Sequence, residues 1–211
     1  MADEVPDQPA GRGWLKGTFE IVETLVLTLV IYLLIHTFVA QPFEVQQTSM
    51  TPTIVDGDYV LIDKLSPHWQ AYGRGDVVVF QPPEGYETGG IPFVKRVIGL
   101  PGDTVQLTDG RVVLMAAGGE PVTLNEPYVR HGADGAVVPT LPTDGTGTGT
   151  WVVPDGSYFV MGDNRTNSVD ARSFGPIAAE SLVGRAWFRY FPLDRITVLS
   201  PSGTVRALTS E

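Results

Sequence analysis

The sequence contains no cysteine. Disulfide bonds, thiolate metal sites and a cysteine nucleophile are therefore excluded. The chain is also poor in positive charge, because 14 lysines and arginines face 24 aspartates and glutamates, for a net charge of −10. This balance argues against nucleic acid as a partner and against electrostatic attachment to anionic lipid. Hydrophobic residues make up 43% of the chain, which is enough for a folded core.

Several familiar catalytic motifs are absent as well. The sequence has no Gly-x-Ser-x-Gly elbow, no His-Glu-x-x-His and no P-loop. Its three histidines, His36, His68 and His131, stand in unlike contexts and suggest neither a set of metal ligands nor a triad base. A serine nucleophile in this chain would need another base. We expect no metal and no organic cofactor.

One long apolar run is present near the N-terminus. Phe19 to Ala40 carries only two charges, Glu20 and Glu23, near its beginning. At ~1.5 Å per residue a helix of this length reaches roughly 33 Å, enough for the ~30 Å hydrocarbon core of a bilayer. The alternative is a cleaved signal peptide, but the run exceeds the usual ~7–15-residue apolar core, and Phe38 is large for a cleavage site after Ala40. The sequence therefore predicts a transmembrane anchor at residues 18–40.

The orientation of this anchor follows from the positive charges around it. Arg12 and Lys16 precede the run, and no lysine or arginine follows it before Lys64. The positive-inside rule places residues 1–17, which are expected to be a disordered tail, in the cytoplasm. Everything after Ala40 is then expected on the outer side of the membrane, in a single-pass protein. We also expect this protein to be monomeric.

After residue 40 the pattern predicts a mostly β fold. Short runs rich in Val, Ile and aromatic residues alternate with Gly, Pro and Asp clusters. The predicted strands are Tyr59–Ile62, Asp76–Phe80, Phe93–Ile98, Thr104–Leu107, Arg111–Met115, Thr150–Val153, Tyr158–Met161 and Val183–Phe191.

Connections between the strands carry their own signals. Asp109-Gly110 predicts a two-residue hairpin turn, and Ile177–Leu182 is the one stretch that favours a helical turn. Residues 132–150 are rich in Gly, Thr, Asp and Pro, which predicts a flexible loop. We expect a catalytic β core built from residues 41–103 and 153–211, and a smaller β lobe inserted at residues 104–152.

Three polar clusters stand out in this apolar background: Ser49 to Thr53, Lys95-Arg96, and Gly162 to Arg172. Together they suggest a serine hydrolase with a lysine base. At a reference pKa near 10.4, neutralising a lysine at pH 7 costs about 4.6 kcal/mol, at ~1.36 kcal/mol per pKa unit. Burial in apolar surroundings lowers a lysine pKa by up to ~3–5 units and removes most of that cost.

Lys95 is placed where such burial is possible. In a strand, Phe93, Lys95 and Val97 share one face, whereas Val94 and Arg96 lie on the other. The pattern fits a surface lysine on an edge strand equally well. Ser49 before a proline turn, and the polar run that begins at Gly162, are each common in structural turns when taken alone.

Taken together, these clusters resemble bacterial type I signal peptidases, also called leader peptidases. The resemblance covers the chain from the anchor to about Phe191 and rests on four blocks in order. They are Ser49-Met50-Thr51-Pro52-Thr53, Gly57 to Lys64, Lys95 to Asp103, and Gly162-Asp163-Asn164-Arg165 through Ser168, Asp170 and Arg172. Gly75 to Phe80 resembles a further family strand.

The resemblance implies a membrane-bound endopeptidase that removes signal peptides from preproteins by acyl transfer. Ser49 would be the nucleophile and Lys95 the general base, with Ser168 orienting the lysine amine by a hydrogen bond. Asp163, Asn164, Arg165, Asp170 and Arg172 would hold the local framework, Asp170 and Arg172 from one face of an extended segment. Cleavage is expected after Ala-x-Ala, with pocket walls from Phe43, Val45, Met50, Ile54, Phe93 and Val94.

Two positions depart from the family pattern. Gln47 stands two residues before Ser49, where members often have Ser or Gly, and Ala171 stands where Ser is common. In an extended segment Gln47 shares the face of Ser49 and could donate to an oxyanion together with the Ser49 N–H. Thr48 carries the hydroxyl nearest to serine, and backbone N–H groups alone remain an equal alternative.

Other functions fit parts of the same pattern. The Ser/Lys autoproteases of the bacterial DNA-damage response share the chemistry, but they lack an anchor and bring a DNA-binding module. A membrane-anchored binding or assembly protein on a peptidase scaffold would not need the serine and lysine that are present. A maturation peptidase specialised for a few substrates stays open.

Overall fold

The computed structural model describes residues 12–34, 36, 40–86, 88–143, 147–199 and 206–207. Residues 1–11 of the expected tail, 35 and 37–39 of the expected anchor, and 144–146 of the expected loop lie outside the described residues. Two compact units divide the chain between Val39 and Ala40.

The N-terminal unit contains one helix, α1 (Arg12–Leu34). Its described side chains are exposed almost throughout, including large apolar ones on every side of the helix. Within the described part of the chain, no helix is both long enough and apolar enough to cross a membrane. The predicted spanning helix at residues 18–40 is therefore not confirmed. After Glu23 the described helix continues only as far as Leu34.

The second unit is rich in β-structure, as predicted. Thirteen strands are described: β1 (Ala40–Glu44), β2 (Tyr59–Asp63), β3 (Val77–Phe80), β4 (Phe93–Gly99), β5 (Thr104–Thr108), β6 (Arg111–Met115), β7 (Val122–Asn125), β8 (Gly149–Val152), β9 (Ser157–Met161), β10 (Ile177–Ala178), β11 (Leu182–Phe191), β12 (Thr197–Val198) and β13 (Arg206–Ala207). A single helical turn, α2 (Ala171–Phe174), follows β9.

These strands form two antiparallel sheets. The larger sheet has the order β1-β2-β11-β3-β4-β9-β10, and β12 also pairs with β11. The smaller sheet has the order β13-β7-β6-β5-β8. Four of its five strands come from residues 104–152, the range expected to be inserted, and the fifth is β13 near the C-terminus. That last pairing differs from the expectation, which assigned all of residues 153–211 to the core.

Local sequence accounts for most of these elements. All eight predicted strands are present to within a residue or two at either end. Asp109 and Gly110 both have positive φ, 52° and 71°, as the predicted two-residue hairpin between β5 and β6 requires. β1 was not predicted, because it contains Pro42, but it lies at the edge of its sheet, where proline is tolerated.

Two expected loops have described structure. The helical turn expected within residues 177–182 is present as a 3₁₀ turn at Ala179–Ser181, but the first two residues of the range form the short strand β10. Within residues 132–143, the first part of the loop expected to be flexible, Thr140 is buried and its N–H donates to Gly110 O at 2.8 Å. This part of the loop therefore packs onto the β5–β6 hairpin.

β4 lies in the interior of the larger sheet, between β3 and β9. Every residue of this strand is buried. Two apolar clusters lie around it, one containing Phe93 and Val97 and the other containing Val94. A lysine on β4 is therefore held far from water, which excludes the alternative of a surface lysine on an edge strand.

Candidate active site

Ser49 lies in the turn that follows β1. The chain bends at Thr48, and turns at residues 49–53 are closed by bonds from Thr51 N–H to Thr48 O at 3.2 Å and from Ile54 N–H to Met50 O at 3.0 Å. Ser49 is only 7% exposed. Its carbonyl oxygen accepts a hydrogen bond from Asn164 N–H at 2.9 Å, which ties the turn to the loop after β9.

Lys95 reaches the same point from β4. Its Nζ lies 2.8 Å from Ser49 Oγ and 3.0 Å from Val94 O. The amine is also 4.7 Å from the centre of the Phe93 ring. With 1% of its surface exposed, Lys95 has almost no access to water. The sequence left a buried position and a surface position on an edge strand equally open for Lys95. The fold buries the residue and brings its amine into hydrogen-bond contact with Ser49.

Burial lowers the pKa of the Lys95 amine to about 8, and the nearby carboxylates of Asp170 and Asp163 limit this shift by favouring the charged form. At a pKa of 8, roughly a tenth of the amine is neutral at pH 7. A neutral amine can accept the Ser49 hydroxyl proton across the 2.8 Å contact. The arrangement is therefore capable of activating a serine without a histidine.

Arg96 points away from Lys95, as the strand alternation predicted. Its guanidinium forms two bonds to Asp163, Nε to Oδ1 at 2.8 Å and Nη2 to Oδ2 at 2.7 Å. A third bond goes from Nη1 to Gly75 O at 2.8 Å. The Asp163 carboxylate also accepts from Thr53 Oγ1 at 2.5 Å, so this buried ion pair contacts the turn that contains Ser49.

Gly162 begins the loop that covers the turn of Ser49. A Cβ added here would lie 2.5 Å from Ser49 O, closer than real side chains allow. Glycine is therefore needed at this position so that the two backbones can approach. Two residues later, Asn164 donates its N–H to Ser49 O at 2.9 Å and its Nδ2 to Thr48 O at 3.2 Å.

Asp170 and Arg172 bind each other, which differs from the expectation that they share a face of an extended segment. Asp170 caps α2 by accepting from Arg172 N–H at 3.2 Å, and its two oxygens each accept from the Arg172 guanidinium at 2.8 Å. Asp170 also accepts from Gly162 N–H at 2.9 Å. Burial alone would raise the Asp170 pKa, but these bonds outweigh it and the pKa is lowered.

Ser168 does not make the hydrogen bond to the lysine amine that was expected. Its Oγ is buried and lies near the Asp170 carboxylate, whose pKa it helps to lower, rather than at the Lys95 amine. The hydroxyl also lies beside Gly162. The amine of Lys95 is oriented by Ser49 Oγ and Val94 O.

Gln47 and Thr48 lie on different sides of the chain, Gln47 towards the Lys95 amine and Thr48 away from it, and the chain bends at Thr48. Gln47 Oε1 lies 3.5 Å from Lys95 Nζ, and its Nε2 donates to Pro92 O at 3.4 Å. Thr48 is exposed, and its Oγ1 accepts from Asn167 Nδ2 at 2.9 Å. The Ser49 N–H has no acceptor among the described residues.

Most of the expected pocket residues come together. Val45, Met50, Ile54 and Val94 form part of one buried apolar cluster, and Phe43 packs against it. Phe93 belongs to the other cluster, but its ring contacts the Lys95 amine. No group of three or more His, Asp or Glu side chains among the described residues is arranged to hold a metal ion.

Three residues near the site were missed in the sequence: Thr53, Glu126 and Thr140. Thr53 and Thr140 bind Asp163 and Arg165, and Glu126 forms an ion pair with Arg165. A buried arginine needs a carboxylate partner, so the burial of Arg165 requires an Asp or Glu side chain beside it. Nothing in the spacing of the chain pointed to Glu126, which precedes Arg165 by 39 residues.

Known proteins resemble this chain over most of its length. Residues 18–191 match the family described as signal peptidase, peptidase S26. The chain is 37% identical to a signal peptidase I of Leptolyngbya laminosa, over 93% of this chain and 92% of the relative. It is also 37% identical to signal peptidase I T of Bacillus subtilis strain 168, over 82% and 86% of the two chains. A crystal structure of a signal peptidase I from Enterococcus faecalis V583 matches 55% of this chain and 97% of that chain, at 28% identity and a TM-score of 0.42.

The lowered pKa of Lys95 can be measured directly. The chain has three lysines, Lys16, Lys64 and Lys95, so a ¹³Cε-lysine NMR spectrum of the full chain in detergent has few signals. We expect the signal that disappears in Lys95→Arg to titrate with a pKa of about 8, because burial disfavours the ammonium form. Titration of that signal near the ordinary lysine value would contradict the burial of the amine.

Proposed function

The chain belongs to the signal peptidase, peptidase S26 family, and we propose that it is a serine endopeptidase that removes signal peptides from exported preproteins. The observation that carries this proposal is the 2.8 Å contact between Lys95 Nζ and Ser49 Oγ in a buried site. Ser49 acts as the nucleophile and Lys95 as the general base. No metal or organic cofactor takes part in the reaction that we propose.

In the first step, neutral Lys95 takes the proton of Ser49 Oγ as the oxygen attacks the carbonyl carbon of the scissile bond. The resulting ammonium then donates a proton to the leaving amine, and an ester between Ser49 and the signal peptide remains. In the second step, Lys95 takes a proton from a water molecule that attacks this ester. The signal peptide leaves with a free carboxylate, and Ser49 regains its proton.

Negative charge develops on the carbonyl oxygen in both steps. We propose that the Ser49 N–H, which has no acceptor among the described residues, is one donor to this oxyanion. Gln47 is the proposed second donor, because its amide lies beside the Lys95 amine. Its Nε2 donates to Pro92 O over a long distance of 3.4 Å, so this hydrogen bond is weak. The N–H group can therefore leave Pro92 O and donate to a substrate oxygen instead.

We propose that the substrate is recognised by small side chains at the first and third residues before the cut, with Ala-x-Ala preferred. The side chains of Val45, Met50, Ile54 and Val94 are at most 1% exposed, so the space beside Ser49 and Lys95 is already occupied by packed apolar groups. Close-packed side chains leave little room beyond a methyl group. Phe43 and Phe93 are the proposed outer walls.

We further propose that the enzyme acts at the bacterial cytoplasmic membrane, with the N-terminus in the cytoplasm and the β-rich unit outside. This part of the proposal is supported by the exposed apolar side chains around α1, among them Leu25, Leu29 and Leu33, each more than half exposed. A helix that is apolar on all sides is normally covered by protein or lipid. Arg12 and Lys16 before the apolar run support the orientation.

The function is tested with a purified preprotein that carries Ala-x-Ala before its cleavage site. We expect cleavage by the wild-type chain, and loss of cleavage in Ser49→Ala and in Lys95→Ala. The double variant is expected to be no worse than either single variant, because the two residues act as one unit. The same preprotein with Leu at the first position before the cut is expected to resist cleavage. Cleavage that persists in Ser49→Ala would refute the assignment of the nucleophile.

The second oxyanion donor is tested by comparing Gln47→Ala with Thr48→Val. Loss of one donor typically lowers kcat by ~10²–10³, about 2.7–4 kcal/mol. We expect Gln47→Ala to lie near the lower value, with little change in KM, because a glutamine is longer and more flexible than a serine. Thr48→Val is the matched control at the neighbouring position. If only Thr48→Val lowers kcat, the second donor is Thr48 and not Gln47. If neither variant lowers kcat, the backbone N–H of Ser49 is sufficient to stabilise the oxyanion.

Membrane attachment is tested by carbonate extraction of membranes from cells that produce the full chain. We expect the protein to stay with the lipid, because apolar burial is not weakened by high pH. A variant that begins at Ala40 is the control and is expected in the soluble fraction. Release of the full chain by carbonate would contradict apolar attachment.

A further inference from the structure

The turn at residues 49–53, called the nucleophile turn because it begins with Ser49, is held by Asn164 in the loop after β9. Asn164 donates its N–H to Ser49 O at 2.9 Å and its Nδ2 to Thr48 O at 3.2 Å. These bonds fix the two peptide groups on either side of the Ser49 Cα. Any displacement of Asn164 therefore changes where Ser49 Oγ lies relative to the Lys95 amine.

Asn164 is in turn fixed by its neighbour Arg165, whose side chain is fully buried. The Arg165 Nε donates to Gly162 O at 3.0 Å and so closes the loop on itself. The remaining nitrogens donate to Glu126 Oε1 at 2.6 Å, to Glu126 Oε2 at 3.0 Å and to Thr140 Oγ1 at 2.6 Å. All the side-chain acceptors of this guanidinium therefore belong to residues 104–152.

Tyr128 connects the same ion pair to Asp163 in the loop. Its hydroxyl donates to Glu126 Oε1 at 2.8 Å, and its ring lies 4.1 Å from the guanidinium carbon of Arg96. Arg96 holds Asp163 through two bonds, at 2.8 and 2.7 Å. Glu126 thus acts on the loop from two directions, directly through Arg165 and through Tyr128 and Arg96.

We propose that Glu126 and Thr140 are positioning residues for the reaction, and that the inserted lobe acts on Ser49 through Arg165 and Asn164. This inference rests on the proposed Ser49–Lys95 peptidase. Neither residue touches the reacting atoms. Their contribution is to hold the guanidinium of Arg165 in one place, so that Asn164 keeps its bonds to the nucleophile turn.

A positioning role differs from a purely structural role in what a mutation changes. A structural role alters the fraction of molecules that are folded, whereas a positioning role alters the rate constant of each folded molecule. The p-nitrophenyl ester of an Ala-x-Ala peptide separates the two quantities. The amplitude of its p-nitrophenol burst counts competent Ser49 residues, and the rate constant of the burst reports acylation.

In the full chain in detergent, we expect Glu126→Gln to lower the acylation rate constant by roughly 10- to 100-fold, a size typical of small misplacements of a catalytic group. The KM for the preprotein is expected to stay unchanged, because the pocket residues are not touched. Thr140→Val should lower the rate constant less, since Arg165 keeps both bonds to Glu126. Adding Glu126→Gln to Arg165→Met should lower the rate constant much less than Glu126→Gln does in the wild type, because only the path through Tyr128 and Arg96 is then left to lose.

Asp103→Asn is the matched control. Asp103 is also buried and also pairs with an arginine, Arg74, at 2.9 Å, but it makes no contact with the loop that begins at Gly162. We expect it to lower the melting temperature and to leave the acylation rate constant unchanged. An unchanged rate constant in Thr140→Val, with a full burst, would overturn the proposal even where Glu126→Gln fails to fold.

The proposed function itself can fail separately. If the wild-type chain releases no p-nitrophenol from the ester, or if Ser49→Ala still releases it, the Ser49–Lys95 peptidase is wrong. If the wild-type chain reacts through Ser49 while Glu126→Gln and Thr140→Val react equally fast, only the positioning role is wrong.

Discussion

The burial of one amine beside one hydroxyl is the constraint on which the rest of the structure depends. Lys95 can act as a base near neutral pH only if water is kept from its ammonium form, since hydration would restore the ordinary pKa. β4 meets this requirement by lying in the interior of the larger sheet with every residue buried. Ser49 must then come to the lysine, and the turn after β1 brings it there.

A second constraint follows, because the loop that holds Ser49 is itself rich in buried charge. Asp163, Arg165, Asp170 and Arg172 are all buried, and each has an oppositely charged partner. An unpaired charge in this position would cost several kcal/mol and would also perturb the amine nearby. Pairing therefore has two effects. It keeps the loop rigid, and it leaves no unpaired charge near Lys95 that would shift the pKa of the amine. The carboxylates of Asp163 and Asp170 still favour the ammonium form, so burial and charge oppose each other at Lys95.

What the sequence revealed depended on the range of the interactions concerned. The strands could be predicted, because runs of Val and Ile between Gly and Pro carry their signal locally, and the alternation along β4 correctly separated Lys95 from Arg96.

The contacts made by the ends of the site side chains were harder to predict than the strands. The side of the chain on which Gln47 lies could be predicted from its spacing to Ser49, and its amide lies beside the Lys95 amine, but its contact with Pro92 O could not be predicted. Asp170 and Arg172 pair with each other because α2 begins between them, and a single helical turn leaves little periodicity in the sequence. Glu126 could not be found, since its partner Arg165 is distant in the chain and close only in the fold.

The contacts around Ser49 also bear on how the protein matures. Asn164 reaches back 116 residues to Thr48, Asp163 reaches back 110 residues to Thr53, and Arg189 reaches back 136 residues to Thr53. A chain that is still being synthesised therefore contains the serine, and soon the lysine, long before it contains the loop that holds them in register. Contacts of such long range form late and slowly in folding. In the peptidase that we propose, catalytic competence is accordingly delayed until nearly the whole chain has emerged, so that a half-made molecule would not carry a complete active site.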